Sequence, residues 1–307
     1  MSDQFLFSSY GNKLYQDLLL FTQKSTEAIG KGERISLSLY LDVTSYIIED
    51  FHRSNELLES ALRFYDPKDL CKSHAVNVAI FSLKMAHDMD LSKEDIEDTL
   101  LAGLFHDVGF GRILKLLHCK DENTIFGHDL ELVRKHPEYG YQGILSNSNR
   151  EKRIAEIILQ HHEKADGTGY PNRLKESEQW LQARIISIID DYEVLIHPRP
   201  FRDALLPPKG IEAILQKKGT AFSATMIKAL INSLSLYPVG SFVMVNNGFI
   251  GKVIKTYTDN PLDPDLEIHF DSSGKKLQEK RILKLKEHPL LRVDKCLPGF
   301  FSEIKFN

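Results

Sequence analysis

The sequence predicts a mainly α fold: a long helical core, an N-terminal helical region before it and a small β-rich appendage after it. Apolar residues recur at three- and four-residue steps over most of the first 236 positions, the spacing of helices with one buried face. Beyond Pro238 the composition changes, and two β-branched runs flank Asn246-Asn247-Gly248, a strong local hairpin signal. At 307 residues and 42% apolar, the chain can bury one large core with smaller flanking pieces. The boundaries read as 1–65, 66–237 and 238–307.

Charge and cysteine usage narrow the function classes. A formal charge of -4 with intermixed acidic and basic residues argues against a general binder of DNA, RNA or anionic membranes. Cys71, Cys119 and Cys296 are odd in number and lack CxxC spacing, so neither a disulfide framework nor a zinc knuckle is indicated. The first thirty residues lack a basic start followed by an apolar core, and no run reaches the roughly eighteen apolar residues a membrane span requires. A soluble cytoplasmic protein is expected.

Taken in order, Asn12 to Tyr65 is helical in pattern. Leu14, Leu18 and Phe21 form one stripe and Leu39, Val43, Ile47 and Phe51 another, separated at Gly30-Lys31-Gly32. This region carries no sensor signature; a regulatory or partner-binding role for it rests only on its position ahead of the core. From Lys68 to Met89, Leu70, His74, Val78, Phe81 and Met85 share a side, and on the residues alone His74 reads as a core imidazole with one hydrogen bond. Ser92 and Asp95 form a plausible cap for a helix from Lys93 to about His106, where the small Gly103 leaves space one turn before Asp107.

Pro137 explains a helix or turn start at His136, and Ile154, Ile157 and Ile158 build a helical face that ends in His161-His162. The loop Asp166-Gly167-Thr168-Gly169-Tyr170-Pro171 is dense in turn formers and so compact. Arg184 to Leu195 is an apolar helix with Asp190 and Glu193 on one side, carboxylates that repel when buried unless a cation compensates. Pro207-Pro208 is read as a helix stop, with Gly210 to Leu236 helical after it. Leu266–Phe270 and Lys275–Leu285, separated by Asp271-Ser272-Ser273-Gly274, read as further strands.

His161 to Pro171 reads HHEKADGTGYP, which resembles without a gap the HHExxDGxGYP signature of the HD-GYP family, the bacterial branch of the HD phosphohydrolase superfamily. The resemblance implies an all-helical HD core and seven metal ligands: His74, His106, Asp107, His136, His161, His162 and Asp190. It also implies that Asp107 bridges two ions, with His74, His106 and Asp190 on one side and His136, His161 and His162 on the other. Five imidazoles and two carboxylates suit iron or manganese and can accept zinc or nickel, whereas magnesium and calcium prefer oxygen. Two such ions about 3.5–4 Å apart can bind a bridging hydroxide for in-line attack on a phosphodiester.

Family members open cyclic di-GMP to linear pGpG and in some cases on to GMP, and that substrate is carried over as an expectation. Asp107 and Glu193 are then the expected catalytic carboxylates. Glu193 stands where the family usually has aspartate and would orient a water or a guanine donor. Arg199 and Arg202, in a run similar to the family's RPYR, would bind phosphate or guanine as planar forks; alone they read as ordinary ion-pair formers. Asp166 and Tyr170 are further substrate-binding candidates, although for these and Glu163 loop-shaping hydrogen bonds and packing explain at least part of their presence.

The chain departs from the family pattern in several places. Phe110 replaces a lysine that would help hold a phosphate, with Arg112 or Lys115 as substitutes at other positions. Phe201 replaces a tyrosine, and Phe222-Ser223-Ala224 replaces FDP. Leu70 stands where some relatives place a glutamate for a third metal, while Asp69 would point about 100 degrees away, so a dinuclear centre is expected. These departures keep a second reading open: a metal-loaded, weakly active or inactive receptor for cyclic di-GMP, or a partner of a GGDEF-type cyclase domain.

Overall fold

The structure, a computed structural model, describes residues 13–64, 70–113, 128–144, 148–199 and 202–298. Asp69, Lys115, Cys119 and Phe201 lie outside these residues, as do the side chains of Leu39, Leu70 and Cys71, so the expectations resting on them are not addressed. The N-terminal region comprises α1 (Lys13–Lys31), α2 (Leu41–Arg53) and α3 (Glu56–Arg63). It is followed by α4 (Leu70–Asp88), α5 (Lys93–Phe105), a 3-10 turn at Val108–Arg112, α6 (His128–Val133), α7 (His136–Ile144) and α8 (Asn149–Gln160). The helical part closes with α9 (Leu181–Ile196), α10 (Pro207–Leu215) and α11 (Ala224–Leu234).

Local chemistry accounts for several boundaries. Ser92 caps α5 as expected, its Oγ accepting from the Asp95 N–H at 3.2 Å while its hydroxyl donates to the Asp95 carboxylate at 2.6 Å. Two readings of the sequence need correction. Pro207 and Pro208 begin α10 instead of ending a helix, because proline has no N–H to lose in a first turn and its φ is already helical. The helix expected from Gly210 to Leu236 is two helices, broken where Gly219 takes a φ of +80° and Ser223 caps α11 through the Met226 N–H.

Leu14, Tyr15, Leu18, Ile29, Ile47 and Leu57 of the N-terminal helices lie in the same apolar core as α4, α5, α8 and α9. Backbone approach there is close enough to require glycine. A Cβ on Gly103 would lie 2.8 Å from the Cα of Ala79, so α4 and α5 meet main chain to main chain. A Cβ on Gly109 would lie 1.9 Å from the carbonyl of His136, which seats the turn after Asp107 directly on the start of α7.

The appendage is a five-stranded antiparallel sheet in the order β4-β3-β2-β1-β5. Its strands are β1 (Phe242–Val245), β2 (Ile250–Lys255), β3 (Asp265–Phe270), β4 (Lys276–Lys284) and β5 (Val293–Leu297). The Asn-Gly turn is present: Gly248, at φ +86°, joins β1 to β2 and its N–H donates to Val245. Val243, Val245, Val253, Leu266 and Ile268 form a second small core. The sheet rests on α3, where Lys252 pairs with Glu59 at 2.9 Å and Arg63 donates to the Gly240 carbonyl at 3.3 Å. Among the described residues no helix is long and apolar enough to cross a membrane.

The contact at Gly109 leads to a test. Gly109→Ala is expected to destabilise the protein by about 1–3 kcal/mol, the usual cost of forcing atoms into a filled contact. Chemical denaturation measures it, and because His136 must move to make room, bound metal after reconstitution should fall as well.

Candidate metal centre

Distant helix ends converge on one point inside the helical core. His74 comes from the second turn of α4, His106 and Asp107 from just past α5, His136 from the start of α7, His161 and His162 from just past α8, and Asp190 from α9. The possible ligand atoms form two groups, His74–His106–Asp190 and Asp107–His136–His161–His162, each within 4.8 Å. Asp107 faces both. One carboxylate oxygen is 3.3 Å from His106 Nε2 and 3.6 Å from His74 Nε2; the other is 3.2 Å from His136 Nε2 and 3.8 Å from His161 Nε2. All seven expected residues are therefore brought together.

The imidazoles are oriented from behind. His106, His136 and His161 each donate Nδ1–H to the carbonyl three residues earlier, at 2.8, 2.8 and 2.6 Å, using main-chain acceptors left free at helix ends. That bond selects the tautomer whose Nε2 lone pair points inward. His74 is held instead by a carboxylate, its Nδ1 being 2.5 Å from Glu193 Oε2. Nε2 of His74 and His106 stand 3.4 Å apart, and those of His136 and His161 3.2 Å apart. Nitrogen lone pairs aimed together at such distances suit a shared cation, and five imidazoles with two carboxylates suit a transition ion.

The electrostatics differ between the two groups. Burial opposes charge on His74, but Glu193 and Asp190 outweigh it and raise its pKa to about 10. Burial and neighbouring imidazoles push His161 well below the ordinary histidine range, and burial with His136 lowers His162 to about 3. Burial works against ionisation of Asp107 and Asp190, yet the surrounding histidines hold both carboxyls below their usual range. Most of the cluster is sealed; Asp107 and His162, with side chains 13% and 21% exposed, mark the open side.

The loop after the paired histidines forms the wall beside that opening. Glu163, buried, accepts from the Asn172 and Leu174 N–H groups at 2.7 and 2.9 Å. Asp166 Oδ1 accepts from the Thr168 N–H and hydroxyl at 2.9 and 2.6 Å, which shapes the turn, and the residue stays exposed. A Cβ on Gly169 would lie 2.4 Å from the Lys164 nitrogen, so only glycine fits there. The Tyr170 ring stacks on His162 with centroids 4.8 Å apart.

Glu193 is 2% exposed and has its oxygens on His74, Asn77, His197 and Arg199, so it stands behind the His74 imidazole and away from the open side. Arg202 donates to the carbonyls of Val194, Leu195, His197 and Asp203 around the end of α9, leaving no fork for a phosphate. Arg199 lies between these cases, bound to Glu193 at 2.9 Å and 3.3 Å from His74 Nδ1. Phe110, in place of the expected lysine, stacks on His136 with centroids 4.1 Å apart and planes 14° from parallel. Asn77 was missed; a buried amide one turn after His74 on an apolar helix was the available signal.

Comparisons with known proteins identify the family of the helical part and of the sheet. The family described as HD domain matches residues 58–225, and one described as KOW domain associated with HD domain matches residues 242–299. The chain is 25% identical to the cyclic di-GMP phosphodiesterase PA4108 of Pseudomonas aeruginosa, over 80% of this chain and 58% of that protein. It is 27% identical to the cyclic di-GMP phosphodiesterase PdeB of Borreliella burgdorferi, over 61% of this chain and 49% of that one. It thus spans only about half the length of these relatives. Bd1817, an HDG"Y"P protein from Bdellovibrio bacteriovorus, shares the fold with a TM-score of 0.56, 18% identity and 72% coverage of each chain.

Glu163→Ala removes the acceptor of two main-chain N–H groups and should cost about 2–3 kcal/mol, as expected for hydrogen bonds to a buried charge. Thermal unfolding reads the loss. Limited proteolysis should then cut within 166–175, and unchanged protection there would show that the loop is held by something else.

Proposed function

The chain belongs to the HD domain family, and from that membership we propose that it is a metal-dependent phosphodiesterase of cyclic dinucleotides, with cyclic di-GMP as the first substrate to test. The observation that carries this reading is Asp107, whose two oxygens face two separate groups of histidines. We propose a dinuclear centre, one ion on His74, His106 and Asp190 and the other on His136, His161 and His162, with Asp107 shared. Iron is the proposed metal, manganese next, with zinc or nickel acceptable to the same donors. When bound, such a pair supplies Lewis acidity to the phosphoryl oxygens and an activated water.

The protein's own groups then have distinct parts. Asp107 and the partly exposed His162 set where a phosphodiester can approach. Glu193 and Arg199 hold His74, and Arg202 fastens the end of α9, which carries Asp190. Tyr170 walls the His162 side, its phenol kept protonated by burial and by Asp190 and Asp107. The proposed product is the linear dinucleotide, with further cleavage to GMP a second step to look for.

A second reading has a specific observation behind it. Phe110 lies flat on His136, where the family resemblance places a phosphate-holding lysine. A site short of that cation fits a receptor that binds cyclic di-GMP with little turnover, and a GGDEF-type cyclase domain is the proposed protein partner in that case.

Anaerobic assay of iron- or manganese-loaded protein separates the two readings. Hydrolysis of cyclic di-GMP by the wild type, reduced more than about a hundredfold in Asp107→Ala, is the expected result, since even outer partners of metal ligands cost 10–100-fold. Tight binding with no product favours the receptor. In either case Phe110→Lys should raise turnover by about tenfold, the worth of one hydrogen bond from a charged donor.

A further inference from the structure

We infer that Tyr15, on α1 and outside the segment matched to the HD domain, is a positioning residue for the metal ligand His74, so that α1 is a working part of the site. This rests on the dinuclear reading above. The Tyr15 hydroxyl donates to Asn77 Oδ1 at 2.5 Å. The Asn77 amide donates to Glu193 Oε1 at 3.1 Å and to the Phe64 carbonyl at 3.2 Å, and the second Glu193 oxygen holds His74 Nδ1 at 2.5 Å. A continuous chain of hydrogen bonds therefore runs from the N-terminal helix to a metal-facing imidazole, with Tyr15, Asn77 and Glu193 each at most 2% exposed.

The hydroxyl has a definite task in this chain. A buried amide can sit either way round, and its orientation follows from its partners. With Tyr15 donating, Oδ1 is engaged and both N–H groups are free for Phe64 and Glu193. Without that donor Oδ1 is left buried and unsatisfied, a cost the side chain relieves by rotating away, and Glu193 then loses the bond that fixes the oxygen pair behind His74. Burial and the nearby Glu193 charge raise the Tyr15 pKa, which keeps the phenol a donor.

The same helix reaches the other side of the centre. A Cβ on Gly111 would lie 2.1 Å from the Thr26 carbonyl, and one on Gly30 would lie 2.7 Å from the Gly111 carbonyl. Helix α1 is thus packed main chain to main chain on the turn that follows Asp107. Ordinary packing by Tyr15 is separable from this role, because its ring contact with Phe64, at 5.1 Å between centroids, survives loss of the hydroxyl.

The test is metal affinity by chelator competition, using manganese and the full chain. Tyr15→Phe should weaken one of two bound equivalents by about 3–10-fold, less than the 10–100-fold typical of a direct outer partner because it acts one step further away. Phe21→Leu, on the same helix against Tyr40 and Phe105, should lower thermal stability and leave affinity unchanged. In an Asn77→Leu background, Tyr15→Phe should cost nothing more. Tyr15→Phe with wild-type affinity, or an affinity loss equally large in Phe21→Leu, overturns the inference while the dinuclear reading stands. Wild-type protein that takes up no manganese, iron or zinc overturns both.

Discussion

Everything in this molecule depends on putting five imidazoles and two carboxylates where a helical protein normally puts leucine. Buried polar groups without partners cost several kcal/mol each, by general estimates of transfer from water. The solution used here is to spend helix ends. Three of the histidines stand just beyond the last turn of a helix, where carbonyls lack intrahelical donors, and each imidazole takes one of them. One bond thereby satisfies a main-chain acceptor and directs a nitrogen lone pair inward.

The helices that end in His106-Asp107 and His161-His162 also need a fixed spacing. α5 and α8 are tied by Arg150, which reaches Glu97 and Asp98 at 2.7 Å each, and by Arg153, which reaches Glu94 at 2.9 Å and also pairs with Asp98. Burial pushes the Asp98 carboxyl up while the two arginines pull it back, a sign that the pairs matter for keeping it charged. Buried pairs of this kind add little net stability but are costly to break, so their value lies in fixing geometry. The strut is at the far end of both helices from His106 and His161, and at the near end Gly103 and Gly109 seat α5 and the turn after it against α4 and α7.

The seven clustered residues were legible in the sequence through the resemblance of His161 to Pro171 to a family signature, and the helix ends that carry them have local signals such as Ser92 and the Gly-Tyr-Pro loop. The Asn-Gly hairpin was legible for the same reason: one backbone conformation, few residues that adopt it. Partners of side chains were not. Arg199 and Arg202 sit three apart in one run, yet one braces a carboxylate and the other caps a helix end, a difference set by where α9 stops. Nor could periodicity tell that Leu14 and Tyr15 share a core with α9, since an apolar stripe does not name the surface it meets. Pro207 misled because a proline pair breaks a helix in its interior and starts one at its first turn.

The backs of the imidazoles are not held alike. His106, His136 and His161 lean on carbonyls, which every residue type supplies, whereas His74 leans on Glu193, a side chain. Mutation can therefore alter the hydrogen bond behind His74, by shortening, neutralising or repositioning one acid, but has no such handle on the other three. The acid behind His74 is thus open to change by a single substitution, whereas the backing of His106 in the same group, and of His136 and His161 in the other, is carried by the main chain.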